Sequence, residues 1–507
     1  MQTIVIGSGL SGLAAALYRL RAGDPVSLFE QASDPGGVTA ALQQDGYTWD
    51  LGQLLVEGFG PGEQAGLVLE ELGVADRIER VRDDRLYAFP DFQLLKPEAY
   101  GGPFWRRERL KQLFPDDARG LDRYYRFYVR MVEVMSLARR AERAEGIRSV
   151  ALNALMFAKL LPVLHRRGWS AERMMQHFFR SERLRAVFTS ILADFVVRPS
   201  EFPGLGIPSV NPEPAFDKRV PLEISRWGHQ PSYQYIRGGV GALTARMVEA
   251  IEKAGGQIHT SRPVEGIQVE DGAVRSVLAR DGEAFAAERV LVSGGARESL
   301  IGLVGREHFD EAFLSKVDDL PLMESIFMVH LGVDLDPTPH QPSATCYYYG
   351  TYDIEHGVDL VQSGGYHEGS DGFVVYVPSL HSPQMAPPGN HALTIYTIAP
   401  NQLAEGTWAE RREEFADKLV AEAEKFIPGL QQHTRVRVTL TPEDFRSRTF
   451  LRHHSFGGVA PMLGRPGVPH ATPVRGLWFI GAQSESGAGM NNVLHGVWRT
   501  HRAIERA

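Results

Sequence analysis

The 507-residue chain has one cysteine, Cys346, so it can form no internal disulfide and no cysteine-only metal site. That scarcity suits a reducing compartment, and Cys346 itself reads as a small apolar core residue. No window approaches about 20 uninterrupted apolar residues, so no helix is expected to span a bilayer. An apolar run that begins at Thr3 leaves no room for a charged region, an apolar stretch and a cleavage site, and no secretory signal is expected. The net charge of −8 lacks the basic excess of a nucleic-acid binder. With 43% hydrophobic and 23% charged residues, the composition excludes a disordered or coiled-coil chain. At about 150 residues per domain, roughly two to four domain-sized units are expected. A cytoplasmic protein, free to touch a membrane surface, fits these exclusions.

What the chain does have is glycine in two particular places. Near the start, Thr3-Ile4-Val5-Ile6 runs into Gly7-Ser8-Gly9-Leu10-Ser11-Gly12 and then into the helix former Leu13-Ala14-Ala15-Ala16-Leu17. In this strand, turn and helix, Gly7 allows the tight turn, Gly9 lets a pyrophosphate approach the backbone, and Gly12 lets the helix pack on the strand. The phosphate would then sit at free N–H groups at a helix N-terminus. A second strand, Pro25 to Phe29, ends in Glu30, eighteen positions past Gly12, where an acid accepts hydrogen bonds from a ribose and repels a 2′-phosphate. Near the other end, Leu477-Trp478-Phe479-Ile480 delivers a second segment, Gly481 to Met490, rich in glycine. Together the two segments are suited to hold one FAD. No further intact G-x-G-x-x-G appears, so a separate nicotinamide site is not indicated, and no cluster argues for a metal.

The charge is uneven. Residues 101 to 190 hold 19 Lys and Arg against 9 Asp and Glu, which leaves −18 for the rest of the chain. Within that stretch Leu152, Leu155, Met156, Leu160, Val163 and Leu164 fall on one helical face, Pro162 should kink it, and His165-Arg166-Arg167 follow. A basic amphipathic helix can lie on an anionic lipid surface, with Arg139, Arg140, Arg166 and Arg167 as its contacts; an ordinary domain-covering helix has the same pattern.

Residues 80 to 200 read mostly as helix, followed by a proline-rich crossing from Phe202 to Pro221. Short alternating strands return after Gly238-Gly239-Val240-Gly241. This predicts an α/β protein with a discontinuous nucleotide-binding domain (1–75, 222–300 and 450–507). A substrate domain in two pieces (76–221 and 301–449) is inserted, its helical part at about 101–200.

Five segments carry a resemblance: Val5 to Gly12; Asp34-Pro35-Gly36-Gly37 running to Asp50-Leu51-Gly52; Tyr235-Ile236-Arg237-Gly238-Gly239 with Pro263-Val264; Ser382-Pro383-Gln384-Met385-Ala386-Pro387-Pro388-Gly389; and Leu477 to Gly496. Across nearly the whole chain they resemble the phytoene desaturase, carotene isomerase and retinol saturase group of flavoproteins, and within it the branch of pyridine nucleotide-disulfide oxidoreductase domain protein 2. The last two segments are the most specific, the S-P-x-x-A-P-x-G turn being particular to this group.

The resemblance implies the two-dinucleotide-binding-domain flavoprotein fold, a Rossmann-like FAD domain with an inserted α+β substrate domain whose helical part can face a membrane, and noncovalent FAD. It places Gly7, Gly9, Gly12, Gly36 and Gly37 at the FAD phosphates, Glu30 at the ribose and Val264 at the adenine edge. Val38 and Gly52 would lie beside the cofactor, Gly481 near the pyrophosphate, and Gly489 and Met490 at the pyrimidine end of the flavin. Two departures stand out: Val38 where desaturases commonly carry Arg, and Asn491-Asn492 where they often carry proline.

The expected activity is desaturation, saturation or isomerisation of a lipophilic, carotenoid-like substrate by an FAD-dependent oxidoreductase. The alternatives are a flavin amine oxidase or porphyrinogen-type oxidase, and a non-catalytic lipid carrier resembling the GDP-dissociation inhibitors. No catalytic residue can be assigned. Asp194 reads as a helix acid paired with an arginine, His453-His454 as support or lining of a pocket, and Tyr347-Tyr348-Tyr349 with Tyr352 as either channel lining or ordinary strand.

Overall fold

The computed structural model describes residues 1–52 and 56–506. Of the segments expected in the nucleotide-binding part, residues 53–55 and 507 lie outside it. Its centre is a five-stranded, wholly parallel sheet in the order Gln257–His259, Val26–Phe29, Thr3–Ile6, Arg289–Val292 and Leu477–Phe479. The strands are short, and the three central ones are nearly fully buried, as parallel strands covered on both faces must be, while the edge strand Gln257–His259 is partly exposed. On one face lie the helices Leu10–Arg21, Val240–Lys253 and Met490–Ile504, whose apolar sides share a core with Val5, Leu28 and Leu291. The other face packs on an antiparallel meander of Val264–Glu270, Ala273–Ala279 and Ala284–Ala286.

The remaining large sheet has seven strands, with Ser325–Val333, His391–Ala399, Gly372–Tyr376 and Thr345–Tyr349 at its middle. Helix Trp408–Glu424 covers one face; the other meets an aromatic core beneath the helices between Trp105 and Val210. The strand Arg85–Phe89 joins this sheet by parallel pairing with Thr345–Tyr348. Here the helical reading of residues 80–94 fails. They form the strands Arg80–Arg82, Arg85–Phe89 and Phe92–Leu94, because distant partners, Gln234–Ile236 for the first and Thr345–Tyr348 for the second, claim a segment whose charges suggested an exposed surface.

The basic region is built on the long helix Ala118–Arg143, against which helix Gly146–Leu160 packs. The second helix gives way at Leu161 to a tighter turn through Arg166, since Pro162 cannot supply the N–H that would continue it. None of the residues Gly146–Leu160 is buried, and the run Gly146–Arg166 is 21 residues, long and apolar enough to cross a membrane by length and composition. That corrects the expectation that no segment reaches this threshold. Ile147 (89% exposed), Phe157 (52%) and Leu161 (58%) point away from the protein, whereas Met156 and Leu160 lean on the aromatic core.

Candidate active site

The two glycine segments meet at one edge of the parallel sheet. Gly7 follows the first strand with φ +91°, and a Cβ there would lie 2.4 Å from Ser293 Oγ, on the neighbouring strand's exit. A Cβ on Gly12 would lie 1.8 Å from the Gly7 carbonyl oxygen, so only glycine lets this helix approach its strand. Gly481, at φ +106°, would bring a Cβ within 3.4 Å of Ser11 Oγ, which places the C-terminal segment against the first turn of the N-terminal helix. Gly36 donates its N–H to the Ser8 carbonyl at 3.1 Å, and Gly37 sits over Gly9.

Gly9 and Gly489 are different. A Cβ on either would meet no atom within 4 Å, so packing does not explain them. Each is the N-cap of a helix, Leu10–Arg21 or Met490–Ile504, with no side-chain cap and no acid in the first turn. Two uncapped N-termini therefore open onto free space at the same edge, and the N–H groups and dipoles there suit an anion. A dinucleotide fits these residues: its phosphates would take the N–H groups above Gly9, and negative charge on a ring would face Met490.

Glu30 is buried. Its Oε2 accepts from the Ser8 backbone N–H at 2.8 Å and the Ser8 hydroxyl at 2.5 Å, while Oε1 accepts from Ala32 N–H at 2.9 Å. The Arg262 N–H donates to the Glu30 carbonyl at 2.9 Å, which holds Val264, two residues further on, near Glu30. Gly52 is needed for another reason, because its Cβ would lie 2.7 Å from the Val38 carbonyl. Val38 supplies no cation, but Arg448 does: its Nε donates to the Gly37 carbonyl at 2.8 Å, close enough to Glu30 and Asp34 to feel both. Burial lowers the pKa of that guanidinium, which remains a cation. No local motif announces it, since it arrives 411 residues after Gly37.

Asp50 proves structural. It caps the helix Val240–Lys253 by accepting from Val240 N–H at 2.6 Å, and burial raises its pKa to about 7. The S-P-x-x-A-P-x-G turn is also a fastener. The Ser382 hydroxyl accepts from Gly238 N–H at 2.8 Å, and Arg237 donates to the His381 carbonyl, so the turn joins the large sheet to the glycine pair before that helix.

Beside Gly489 and Met490 opens a cavity of about 680 Å³. Its wall runs from Met490, Asn491 and Asn492, past Phe456 and Tyr347, to Asn153 and Met156 on the exposed apolar helix. Asn491 presents a side-chain oxygen with no partner, and the asparagine pair Asn491-Asn492 faces the cavity.

Asp194 lines this cavity. Among the described residues it makes no ion pair with an arginine, contrary to expectation: the Tyr396 hydroxyl donates to it at 3.5 Å, and burial pushes its carboxyl up to about 6 against the opposing effects of Tyr347 and the charge of Arg85. Glu57, missed by sequence reasoning, lines the same space, accepts from the Tyr233 hydroxyl at 3.2 Å and is raised to about 7 by burial. Tyr347 faces the cavity, and with Tyr349 lines a smaller adjoining pocket; Tyr348 turns to the opposite face against Phe373 and Phe426. Tyr352 stacks on Phe89 and its hydroxyl donates to Asp91, outside the cavity.

Arg139 is a correction. It lines the cavity and donates to the His229 carbonyl at 2.9 Å, so it cannot serve as a surface contact. His454 stacks on Phe445, hydrogen-bonds Ser325 Oγ at 2.8 Å and is lowered to about 3 by burial; it stays neutral and buttresses the wall. His453 Nε2 donates to the Met323 carbonyl at 2.9 Å. Cys346 is buried, its thiol pushed up to about 12, and inert. Among the described residues no group of three His, Cys, Asp or Glu could hold a metal ion.

A parallel sheet with two uncapped, glycine-led helix N-termini at its edge, a buried acid at the end of the second strand and a cavity alongside suits a dinucleotide-binding flavoprotein. The chain belongs to the flavin-containing amine oxidoreductase family, whose model matches residues 10–497, and its cofactor is FAD. It is similar to the chloroplastic prolycopene isomerase of Daucus carota, at 25% identity over 98% of this chain and 79% of that one. Pyridine nucleotide-disulfide oxidoreductase domain-containing protein 2 of Mus musculus is 23% identical, over 98% and 93%. The lycopene-forming phytoene desaturase of a Paracoccus strain is 26% identical, over 97% and 94%. The fold matches the crystal structure of an oxidoreductase from Methanosarcina mazei with a TM-score of 0.64 and 17% identity, over 99% of this chain and all of that one.

Proposed function

We propose that this FAD-dependent oxidoreductase desaturates, saturates or isomerises a lipophilic, isoprenoid-like molecule taken from a membrane surface. One observation carries the reading: a single cavity extends from Asn153 and Met156, on a helix none of whose residues is buried, to Gly489–Asn492 at the glycine-led turn. An apolar molecule held at the outer helix thus has a continuous route to the flavin. The relatives named for prolycopene and phytoene support the substrate class.

The outer helix fits an anionic bilayer. Ile147, Val150, Phe157 and Leu161 offer apolar side chains to the acyl region, while Arg148 and Arg167 are exposed beside them for the headgroups. Once a substrate is inside, Met135, Met156 and Phe456 keep water from it. Bound FAD supplies the hydride acceptor or donor. The chain contributes proton handling: Glu57 and Asp194, raised to about 7 and about 6, can each hold or release a proton near neutral pH. The Tyr233 hydroxyl donates to Glu57 Oε2 and leaves Oε1 for that proton.

The test mixes holoenzyme anaerobically with liposomes carrying unsaturated isoprenoids, and separately with soluble primary amines, while the flavin band near 450 nm is followed. Bleaching or a spectral shift with the isoprenoids alone is expected. Bleaching by the amines, with no response to any isoprenoid, would replace this reading with amine oxidation.

A further inference from the structure

Of the three described arginines that are 4% exposed or less, Arg19, Arg85 and Arg106, the last two lie in neighbouring segments and are partnered differently. Arg106 is fully buried and sits on Glu213, with Nη2 to Oε1 at 2.7 Å and Nε to Oε1 at 3.1 Å, a third donation to the Asn211 carbonyl, and Phe216 stacked 3.9 Å away. Arg85, 4% exposed, makes no ion pair among the described residues. Its Nη2 donates to the Val210 carbonyl at 3.2 Å, and its Nε has no partner. Around it stand the rings of Tyr87, Phe216, Tyr233 and Tyr347, each 5.0 to 5.4 Å from the guanidinium carbon. Arg106 faces the packed core, whereas Arg85 faces the cavity.

A cation withheld from water needs an anion or a full set of acceptors. The aromatic faces supply part of that, and the cavity must supply the rest. Burial raises the pKa of both carboxyls that share the cavity, and the charge of Arg85 lowers it in part, but neither forms an ion pair with Arg85 among the described residues: Glu57 accepts from the Tyr233 hydroxyl and Asp194 from that of Tyr396. With neither carboxyl within ion-pair distance, the Arg85 Nε is left without an acceptor at the cavity wall. A pure hydrocarbon has nothing to offer it.

We propose that the substrate is a lipophilic carboxylic acid whose carboxylate docks on Arg85, while its hydrocarbon chain fills the part of the cavity lined by Met135, Met156, Ile191 and Phe456. The proposal rests on the reading of this cavity as the site of a lipophilic substrate and narrows it. Arg85 is the residue that reads the head group; it fixes the position of the chain and takes no part in the redox step.

The experiment titrates the purified holoprotein calorimetrically with dodecanoate, dodecan-1-ol and dodecylamine, with wild type, Arg85→Met and Arg85→Lys compared. Dodecanoate should bind at least tenfold more tightly than the alcohol, Arg85→Met should remove that preference while leaving alcohol binding within threefold, and Arg85→Lys should keep part of it. Equal binding of acid and alcohol by wild type overturns the proposal, and this arm stands even if Arg85→Met does not fold. Tightest binding of the amine also overturns it and hands head-group recognition to Asp194 and Glu57. Survival of the acid preference in a folded Arg85→Met protein does the same. Photoreduction of the same sample separates the two claims. A flavin that bleaches in a protein without acid preference removes the head-group assignment alone, whereas acid preference in a protein that carries no flavin removes the redox reading alone.

Discussion

The edge of the parallel sheet and the cavity beside it solve opposite problems. At the sheet edge, backbone does the recognising: Gly9 and Gly489 leave room, uncapped helix ends supply N–H groups, and one acid, Glu30, is satisfied by Ser8 and Ala32. In the cavity, side chains do it, and several are left unsatisfied, among them Arg85 Nε and Asn491 Oδ1. The first design holds a cofactor of known shape. The second keeps polar groups out of water without an ion pair, whereas Arg106, whose Nη1 also lacks a partner, has the charge of Glu213 against it.

That contrast can be broken experimentally. The largest effect should come from Gly9→Glu, which puts a charged side chain into the space above the phosphate turn and should abolish FAD retention, read as loss of visible absorbance after gel filtration. Arg106→Met should destabilise the protein by about 3–5 kcal/mol by leaving Glu213 unpaired in the core, measured by urea unfolding. Arg448→Met should weaken FAD by about tenfold, or about 1.4 kcal/mol, in fluorescence titration. Unchanged affinity would mean that the cation at Gly37 serves only the fold.

The buried acids sharpen the comparison through pH. For Asp194, burial raises the folded pKa from its ordinary 3.8 to about 6, so between these values the folded state keeps a proton that the unfolded state has lost. Stability therefore falls as pH rises through this window and is constant above it. Asp194→Asn should flatten that fall and make the protein more stable at pH 7.5 by about 1–3 kcal/mol, as urea midpoints at pH 4.5 and 7.5 would show. A steeper fall in the variant would contradict the assignment. The smallest effect on the protein itself should come from Phe157→Glu with Leu161→Glu. Both positions are already exposed, so melting should shift by no more than about 0.5 kcal/mol, whereas co-sedimentation with anionic liposomes should drop severalfold.

The two regions also differ in how far they could be read from sequence. The nucleotide edge was largely legible because each of its two motifs is local: strand, glycine spacing and Glu30 lie between Thr3 and Glu30, the second glycine segment between Leu477 and Met490, and their geometry follows from glycine sterics. Arg448, which no motif announces, was not. Nor was the cavity, because its determinants are distant in the chain. Arg85 lies among Arg82, Asp83 and Asp84, which resemble a solvated surface until Tyr347 and Tyr233 are folded around it. Asp194 looked like a helix acid with a surface partner, and Arg139 like a membrane contact; only the packing of separate segments shows that both face inward. Gly52 and Asp50 lie between, visible as a motif but with jobs, packing beneath Val38 and capping a helix, that spacing does not reveal.

The most direct test of the account is the visible spectrum of the purified protein during anaerobic photoreduction and reoxidation, with and without isoprenoid-loaded liposomes. Flavin bands that bleach, return with oxygen or a quinone, and shift when the liposomes are present are the predicted result. A colourless protein that takes up no added FAD would contradict the central claim and leave a lipid carrier of the same fold.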